Sequence, residues 1–285
     1  MNGLSSTLRD ATDALTPVSA TPRLDAELLM AHALGIDRSA MLLRMHDLAV
    51  PAGFAAMLAR RAADEPVAYI TGMQAFWDLD LHVTPDVLIP RADSETVIEV
   101  AMAAFAGRDA PARILDLGTG SGALLLAALS VFSGAEGVGI DASAAALAVA
   151  SGNASRLGLD GRAYFERRDW TLDGWADGLG QFDLILCNPP YIEDATPLAD
   201  MVARHEPHSA LFAGPDGLRD YRILLKTLEK LLKTTGIAVF EIGFNQSKSV
   251  AKLGTEAGFA SELTHDLSGN PRVLRFSLGI TQPNR

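Results

Sequence analysis

The sequence predicts an α/β fold: a mostly parallel, seven-stranded sheet with one antiparallel strand, preceded by a small N-terminal helical bundle and a β-hairpin connector. Three observations lead there. From residue 109 to 279, short runs rich in Val, Ile, Leu and Phe alternate with segments of helical periodicity, and the series closes on a hairpin. One run, Arg113 to Leu117, passes into a glycine-rich turn and then a helix. Another, Phe182 to Cys187, stops at Asn188-Pro189-Pro190-Tyr191, because neither proline can donate to a sheet ladder.

Composition narrows the function. The chain has 285 residues and a formal charge of -11, with no basic stripe, so tight non-specific binding to duplex nucleic acid or an anionic membrane is disfavoured. Cys187 is the only cysteine, which rules out an internal disulfide and a cysteine-built zinc site. The six histidines form no H-E-x-x-H pattern, so no metal is expected. No apolar stretch reaches membrane-spanning length and no secretory leader is evident, so a soluble, cytoplasmic protein is expected.

Taken in order, Thr21-Pro22 supplies a helix start, apolar residues at 24, 28 and 31 mark a buried stripe, and Gly35 ends the helix. Asp37 caps a short helix carrying Met41, Leu42 and Met45, and Val50-Pro51 opens a third running to Ala63. Residues 1–73 thus read as a helical domain, for recognition of a macromolecular partner or as a stabilising cap. From Pro66 the pattern changes; the alternation from Trp77 to Val83 reads as a hairpin or extended connector over 74–90. The remaining domain, 91–285, begins with Arg91 and the acidic run Asp93 to Glu95, which either line a cleft mouth or form a solvated helix start.

The turn Gly118-Thr119-Gly120-Ser121-Gly122 lets the backbone pass close to a ligand at a helix start. The next strand, Gly137 to Asp141, ends in an acid that can accept both hydroxyls of a ribose. Together they point to an adenosine-containing ligand. The spacing is G-x-G-x-G, not the G-x-G-x-x-G of pyrophosphate-bearing dinucleotides, and no G-K-S/T phosphate loop is present. After a helix from Ser143 to Leu157 and a strand near Ala163 to Arg167 comes Asp169-Trp170. This pair could flank an adenine, or Trp170 could anchor the loop that carries Trp175.

Asn188 lies at the carboxyl edge of its strand, where open α/β sheets bind ligands. Its amide oxygen and the Pro189 carbonyl are two acceptors that can face one planar NH2 group, with Tyr191 offering a flat face for stacking. A plain strand exit is the alternative. Residues 192–217 are too long for an ordinary connection and read as a substrate-binding segment or lid. A helix from Leu218 to Leu232, a strand from Gly236 to Gly243, a helix from Gln246 to Ala257 and strands at 263–267 and 273–278 complete the chain.

The glycine spacing resembles that of S-adenosylmethionine-dependent methyltransferases, and the order of elements looks like their class I fold. A wider set of motifs is similar to the PrmC/HemK family, the peptide chain release factor glutamine N5-methyltransferases: Glu65-Pro66-x-x-Tyr69-Ile70-x-Gly72, Leu88-Ile89-Pro90-Arg91, Asp116 to Gly122, Asn188 to Ile192, Glu206-Pro207, Asp216-Gly217-Leu218 and Glu241-Ile242-Gly243-x-x-Gln246. The resemblance spans nearly the whole chain. It departs after Arg91, where the family commonly has Pro-Glu-Thr-Glu and this chain has Ala92-Asp93-Ser94-Glu95. The acid-hydroxyl-acid character stays while the proline is lost.

The resemblance implies methyl transfer from S-adenosyl-L-methionine to the glutamine nitrogen of the Gly-Gly-Gln loop in bacterial class I release factors, with S-adenosyl-L-homocysteine as product. It maps cofactor binding onto Gly118, Thr119, Gly120, Ser121, Gly122, Asp141, Trp170 and Asn188. Substrate binding falls on Asn188, Pro189, Pro190 and Tyr191, with Asn188, Pro189 and Tyr191 as the catalytic set. The helical leader would grip the release factor, and no direct nucleic-acid or membrane partner is implied. Two rivals share the features: a nucleic-acid adenine or cytosine amino-methyltransferase, and a non-catalytic S-adenosylmethionine-binding interaction protein.

Overall fold

The computed structural model describes residues 3–279. Residues 1–2 and 280–285, the outer ends of the expected 1–73 and 91–285 segments, lie outside the described residues. The chain forms two compact units: one of residues up to Met73 plus Leu198–Glu206, the other of Gln74–Pro197 plus the chain from Pro207 onward.

The first unit contains α1 (Leu4–Leu15), α2 (Pro22–Leu34), α3 (Arg38–Leu43), α4 (Phe54–Ala62) and α5 (Val67–Thr71). Helix α1 was not expected, although Leu4, Leu8, Ala11 and Leu15 repeat at helical spacing and are all buried. Helix α2 begins at Pro22 and ends at Gly35, whose φ of 66° only glycine adopts cheaply. Its buried face differs in part from the expected stripe: Ala31 is inside, but Leu24 and Leu28 are 39% and 37% exposed, and Ala26, Leu29 and Met30 are buried in their place. The inward face also carries Asp25 and Glu27, and tertiary partners make that possible. Asp25 accepts from Ser19, Thr21 and the buried Arg61 at 2.8, 3.1 and 2.7 Å. Glu27 accepts from Arg23 and Arg38. Buried charges are tolerated when paired in this way. Residues 67–71 are helical, not extended, bounded by Pro66 and by Gly72 at φ 70°.

The elements that follow are β1 (Met73–Phe76), β2 (Leu79–His82), α6 (Glu95–Phe105), β3 (Arg113–Leu117), α7 (Ala123–Val131), β4 (Glu136–Asp141), α8 (Ala144–Arg156), β5 (Ala163–Arg167) and β6 (Phe182–Cys187). Then come α9 (Asp200–His205), α10 (Arg219–Leu231), β7 (Leu232–Glu241), α11 (Ser247–Glu256), β8 (Phe259–His265) and β9 (Pro271–Leu278). Strands β1 and β2 form a two-stranded hairpin. Helix α9 sits within the long 192–217 segment and belongs to the first unit, where Arg204 bonds Asp64 at 3.1 Å.

The remaining strands form one seven-stranded sheet in the order β5-β4-β3-β6-β7-β9-β8. Its β3, β4, β5, β6 and β7 pair in parallel, and β9 runs antiparallel to both β7 and β8. Strand side chains alternate between two cores. Leu184, Leu186 and Val239 join Val97 of α6 and Leu125 and Leu129 of α7 on one face. Ile185, Cys187 and Phe240 join Tyr221, Leu224 and Leu228 of α10 on the other. Both faces are therefore covered, which is why the central strands read as continuous apolar runs.

Strand order decides where a ligand goes. From β3 the chain winds outward through β4 to β5, then crosses back to lay β6 on the other side of β3. The gap between β3 and β6 is a topological switch point, where a crevice opens beyond the carboxyl ends. The register pairs Leu117 with Cys187, so Gly118 and Asn188 leave adjacent strands at the same level.

Candidate active site

A cavity of about 700 Å³ opens at this switch point, within the second unit. Its lining includes Gly118, Gly120, Asp141, Asp169, Trp170 and Asn188. That volume lies in the ordinary range for small-molecule sites.

The glycine turn forms one wall. Gly118, Gly120 and Gly122 have φ of 76°, 54° and 86°, a region closed to most side chains. A Cβ on Gly118 would lie 3.0 Å from the Trp170 ring, so the indole packs directly on bare backbone. Most turn amides are already engaged. Those of Gly118 and Thr119 donate to the Ile140 carbonyl at 2.9 Å each, Gly120 donates to Asp141 Oδ2 at 3.0 Å, and Gly122 donates to the Thr119 carbonyl at 2.7 Å. Few of the turn's amides are therefore left for a ligand. Thr119 and Ser121 are buried and do not line the cavity: the Thr119 hydroxyl donates to Asp116 at 2.7 Å, and the Ser121 carbonyl accepts from Asn153 at 2.9 Å. Gly122 packs under Leu126 and Ala150, also off the cavity wall.

Asp141 Oδ1 accepts from the Ser143 amide at 2.9 Å while Oδ2 takes Gly120. Burial raises its pKa, and these backbone donors oppose the rise. The Ala142 amide is a further donor to this carboxylate, which keeps acceptor capacity for a ligand hydroxyl. Trp170 lines the cavity, and its Nε1 donates to Asp220 at 2.7 Å. Asp169 closes a local turn by accepting from the Thr171 amide and hydroxyl at 2.9 and 2.6 Å.

Across the gap, Asn188 is half-buried and lines the cavity together with Pro190. Pro189 is buried, and neither it nor Tyr191 is part of that lining. Tyr191 is instead seated by residues far along the chain. Its hydroxyl donates to Glu241 Oε1 at 3.3 Å, and Gln246 Nε2 donates to both the Tyr191 carbonyl at 2.9 Å and the Gly217 carbonyl at 3.2 Å. A Cβ on Gly217 would lie 2.4 Å from the Tyr191 carbonyl oxygen, so that position admits only glycine. The Asp216-Gly217-Leu218 and Glu241-Ile242-Gly243-x-x-Gln246 motifs thus act as a mount for the Asn188 to Tyr191 corner.

Several cavity residues were not read from the sequence. Arg219 and Asp220, at the start of α10, line the wall, with Asp220 accepting from Trp170 and Arg219. The Arg219-Asp220 pair directly after the Asp216-Gly217-Leu218 motif was the available signal. Asn153, buried in α8, holds the β2 backbone through His82 at 2.7 and 2.9 Å as well as the turn at Ser121. A polar residue inside an Ala-rich helix was its trace. Among the described residues no cluster of His, Cys, Asp and Glu could hold a metal ion, and no helix is long and apolar enough to cross a membrane.

Two carboxyls are both buried and incompletely paired. Burial pushes Asp116 up to about 7, helped by the charge on Asp141, and its Oδ1 has no partner among the described residues. Burial likewise pushes Glu241 up to about 7, partly offset by Ser94, Arg272 and Tyr191, and its Oε2 has no partner. Raised carboxyl values make the folded state the better proton binder. The stability they confer is complete below the ordinary carboxylate range and is lost as pH rises to about 7. Glu241→Gln should therefore gain stability relative to the parent as pH increases from 5 to 8, by on the order of 2 to 3 kcal/mol, and level off above. Melting temperatures across that range test this; parallel curves would contradict it.

Comparison with known proteins identifies the family. A family model described as "PrmC N-terminal domain" matches residues 6–72, and one described as "Methyltransferase domain" matches residues 109–263. The chain is 44% identical over 259 residues to the release factor glutamine methyltransferase of Rhodospirillum rubrum, covering 89% of this chain and 78% of that one. The chain belongs to the release factor glutamine methyltransferase family. A second family member, from Caulobacter vibrioides, is 40% identical over 270 residues, covering 92% of this chain and 90% of its own. Among solved structures, a methyltransferase from Pyrococcus furiosus superposes with a TM-score of 0.52 at 18% identity, covering 79% of this chain and 100% of that one. The sheet is that of a class I methyltransferase.

Family membership implies a methyl donor, and the residues at the switch point fit S-adenosylmethionine. The turn has few free amides with which to cradle phosphates, and this donor has none. Asp141 offers acceptor capacity for ribose hydroxyls, and Trp170 offers a flat wall.

Proposed function

We propose that the protein methylates the side-chain amide nitrogen of the glutamine in the Gly-Gly-Gln loop of a bacterial class I peptide chain release factor, acting in the cytoplasm. The observation that carries this reading is the pairing of Leu117 with Cys187, which sets the Gly118 turn and Asn188 side by side on one cavity. The donor would rest against Gly118, Gly120, Asp141 and Trp170, and the glutamine against Asn188 to Tyr191. The helical unit of residues 1–73 would engage the release factor, as the match to the PrmC N-terminal domain supports.

Bound S-adenosylmethionine supplies an electrophilic methyl group on a sulfonium and leaves as S-adenosylhomocysteine. The protein's task concerns the nucleophile. A carboxamide nitrogen is weak because its lone pair is delocalised into the carbonyl. Asn188 Oδ1 and the Pro189 carbonyl accept its two hydrogens, turning the nitrogen toward the methyl group and stabilising positive charge as it develops. The proline ring limits φ, so the carbonyl is held before substrate arrives. The methylated, positively charged amide nitrogen then gives up one of its protons to solvent water, which restores the neutral amide. Preorganised dipoles do this work without a strong base in place beforehand.

Labelled S-adenosylmethionine with a release factor, DNA and RNA offered in parallel tests the reading. Label confined to the release factor, mapped by mass analysis to the glutamine, is the expected result. Label on nucleic acid, or none despite cofactor binding, overturns it.

A further inference from the structure

The segment that departs from the family pattern, Ala92-Asp93-Ser94-Glu95, comes close to the proposed nucleophile site. Residues Ala92–Ser94 form a short 3-10 turn ahead of α6, and Ser94 is 4% exposed. Asn188 Nδ2 donates to Ser94 Oγ at 3.2 Å. The Glu241 carboxylate, at the end of β7, lies near enough to Ser94 for the serine to help hold its pKa down. Tyr191 donates to that same carboxylate, so Glu241 joins both ends of the Asn188 to Tyr191 corner. Arg272, which bonds Asp93 and Asp266 at 3.0 Å each, adds positive charge near it.

This arrangement bears on a specific weakness of asparagine. Its amide is nearly symmetric in shape, so a half-turn exchanges an acceptor for a donor at almost no steric cost. A flipped Asn188 would meet the substrate NH2 with its own NH2, and the site would fail. A serine hydroxyl alone does not prevent this, because it can donate as readily as accept. An adjacent carboxylate changes that. A nearby anion favours the hydroxyl orientation whose proton points toward it, which leaves lone pairs facing Asn188 and matches the bond from Asn188 Nδ2.

We propose that Ser94 and Glu241 are positioning residues that lock the Asn188 amide with Oδ1 toward the substrate. They act through Asn188 and do not touch substrate themselves. The inference rests on the reading of Asn188 as acceptor for the glutamine nitrogen.

The test compares kcat and KM for a release factor, at pH 8, among the full-length parent, Ser94→Ala, Ser94→Cys, Ser94→Thr, Asn188→Ala and the Ser94→Ala/Asn188→Ala double variant. Ser94→Ala should lower kcat by ~5-fold or more, as for one neutral hydrogen bond lost from the transition state. Ser94→Thr, which keeps the hydroxyl, should restore most of that loss. Ser94→Cys keeps the shape with a much poorer hydrogen-bonding group and should behave as the alanine variant, which covers a folding defect in the latter. In the Asn188→Ala background Ser94→Ala should cost nothing further, since no amide remains to orient. Parental kcat in the alanine and cysteine variants, or an unchanged penalty in the double variant, overturns the positioning role while leaving Asn188 in place. Parental kcat in Asn188→Ala removes the underlying reading, and this inference with it.

Discussion

Asn188→Ala should lower the turnover of glutamine methylation by ~100-fold or more, with a much smaller change in KM for the release factor. The magnitude is that of a preorganised dipole removed from a developing charge. Alanine leaves the strand exit intact, because Pro189, Pro190 and the Gln246 bonds to the Tyr191 and Gly217 carbonyls still define the corner. A change confined to KM would indicate that Asn188 only binds substrate, since loss of uniform binding leaves kcat untouched. Single-turnover measurement with saturating S-adenosylmethionine separates these cases, and near-parental turnover would sink the mechanism.

Asp141→Ala should raise the dissociation constant for S-adenosylmethionine by ~100-fold, the equivalent of one or two charge-assisted hydrogen bonds. A second effect is expected because Asp141 also receives the Gly120 and Ser143 amides. Without it, the backbone of the glycine turn loses an anchor, and the melting temperature of the cofactor-free protein should fall as well. Asp141→Asn is the sharper control: it nearly keeps the volume but sets one NH2 against an amide donor. Calorimetric titration checks the affinity, and unchanged binding in both variants would remove Asp141 from the cofactor site.

Local signals carried much of the fold. Strands Arg113–Leu117 and Ala163–Arg167 coincide with the runs read from sequence, and Ser143 caps α8 through a bond from the Ala146 amide at 3.2 Å. These features depend on neighbouring residues, whose preferences a linear reading captures. Errors arose where a distant partner overrode the local pattern. The stripe on α2 was misplaced because Arg61 and Arg38 make it possible to bury Asp25 and Glu27. Strand β7 begins at Leu232, before the expected Gly236, because Phe182 pairs with Leu232 ahead of a register shift.

The candidate site divides in the same way. The cavity-lining Gly118, Gly120, Asp141 and Asn188 were legible because each belongs to a short motif at a strand end, where chain chemistry and position coincide. The sequence by itself thus determined the strand-ending Asn188, the glycine turn and the terminal Asp141. Only the tertiary structure decided that Thr119 and Ser121 turn inward, that Trp170 is held by Asp220, and that Ser94 meets Asn188 across 94 residues. Such contacts follow from strand order and from the crossover that brings β6 back beside β3. Periodicity along a chain reports which face of an element is buried, and carries no record of which distant element covers it.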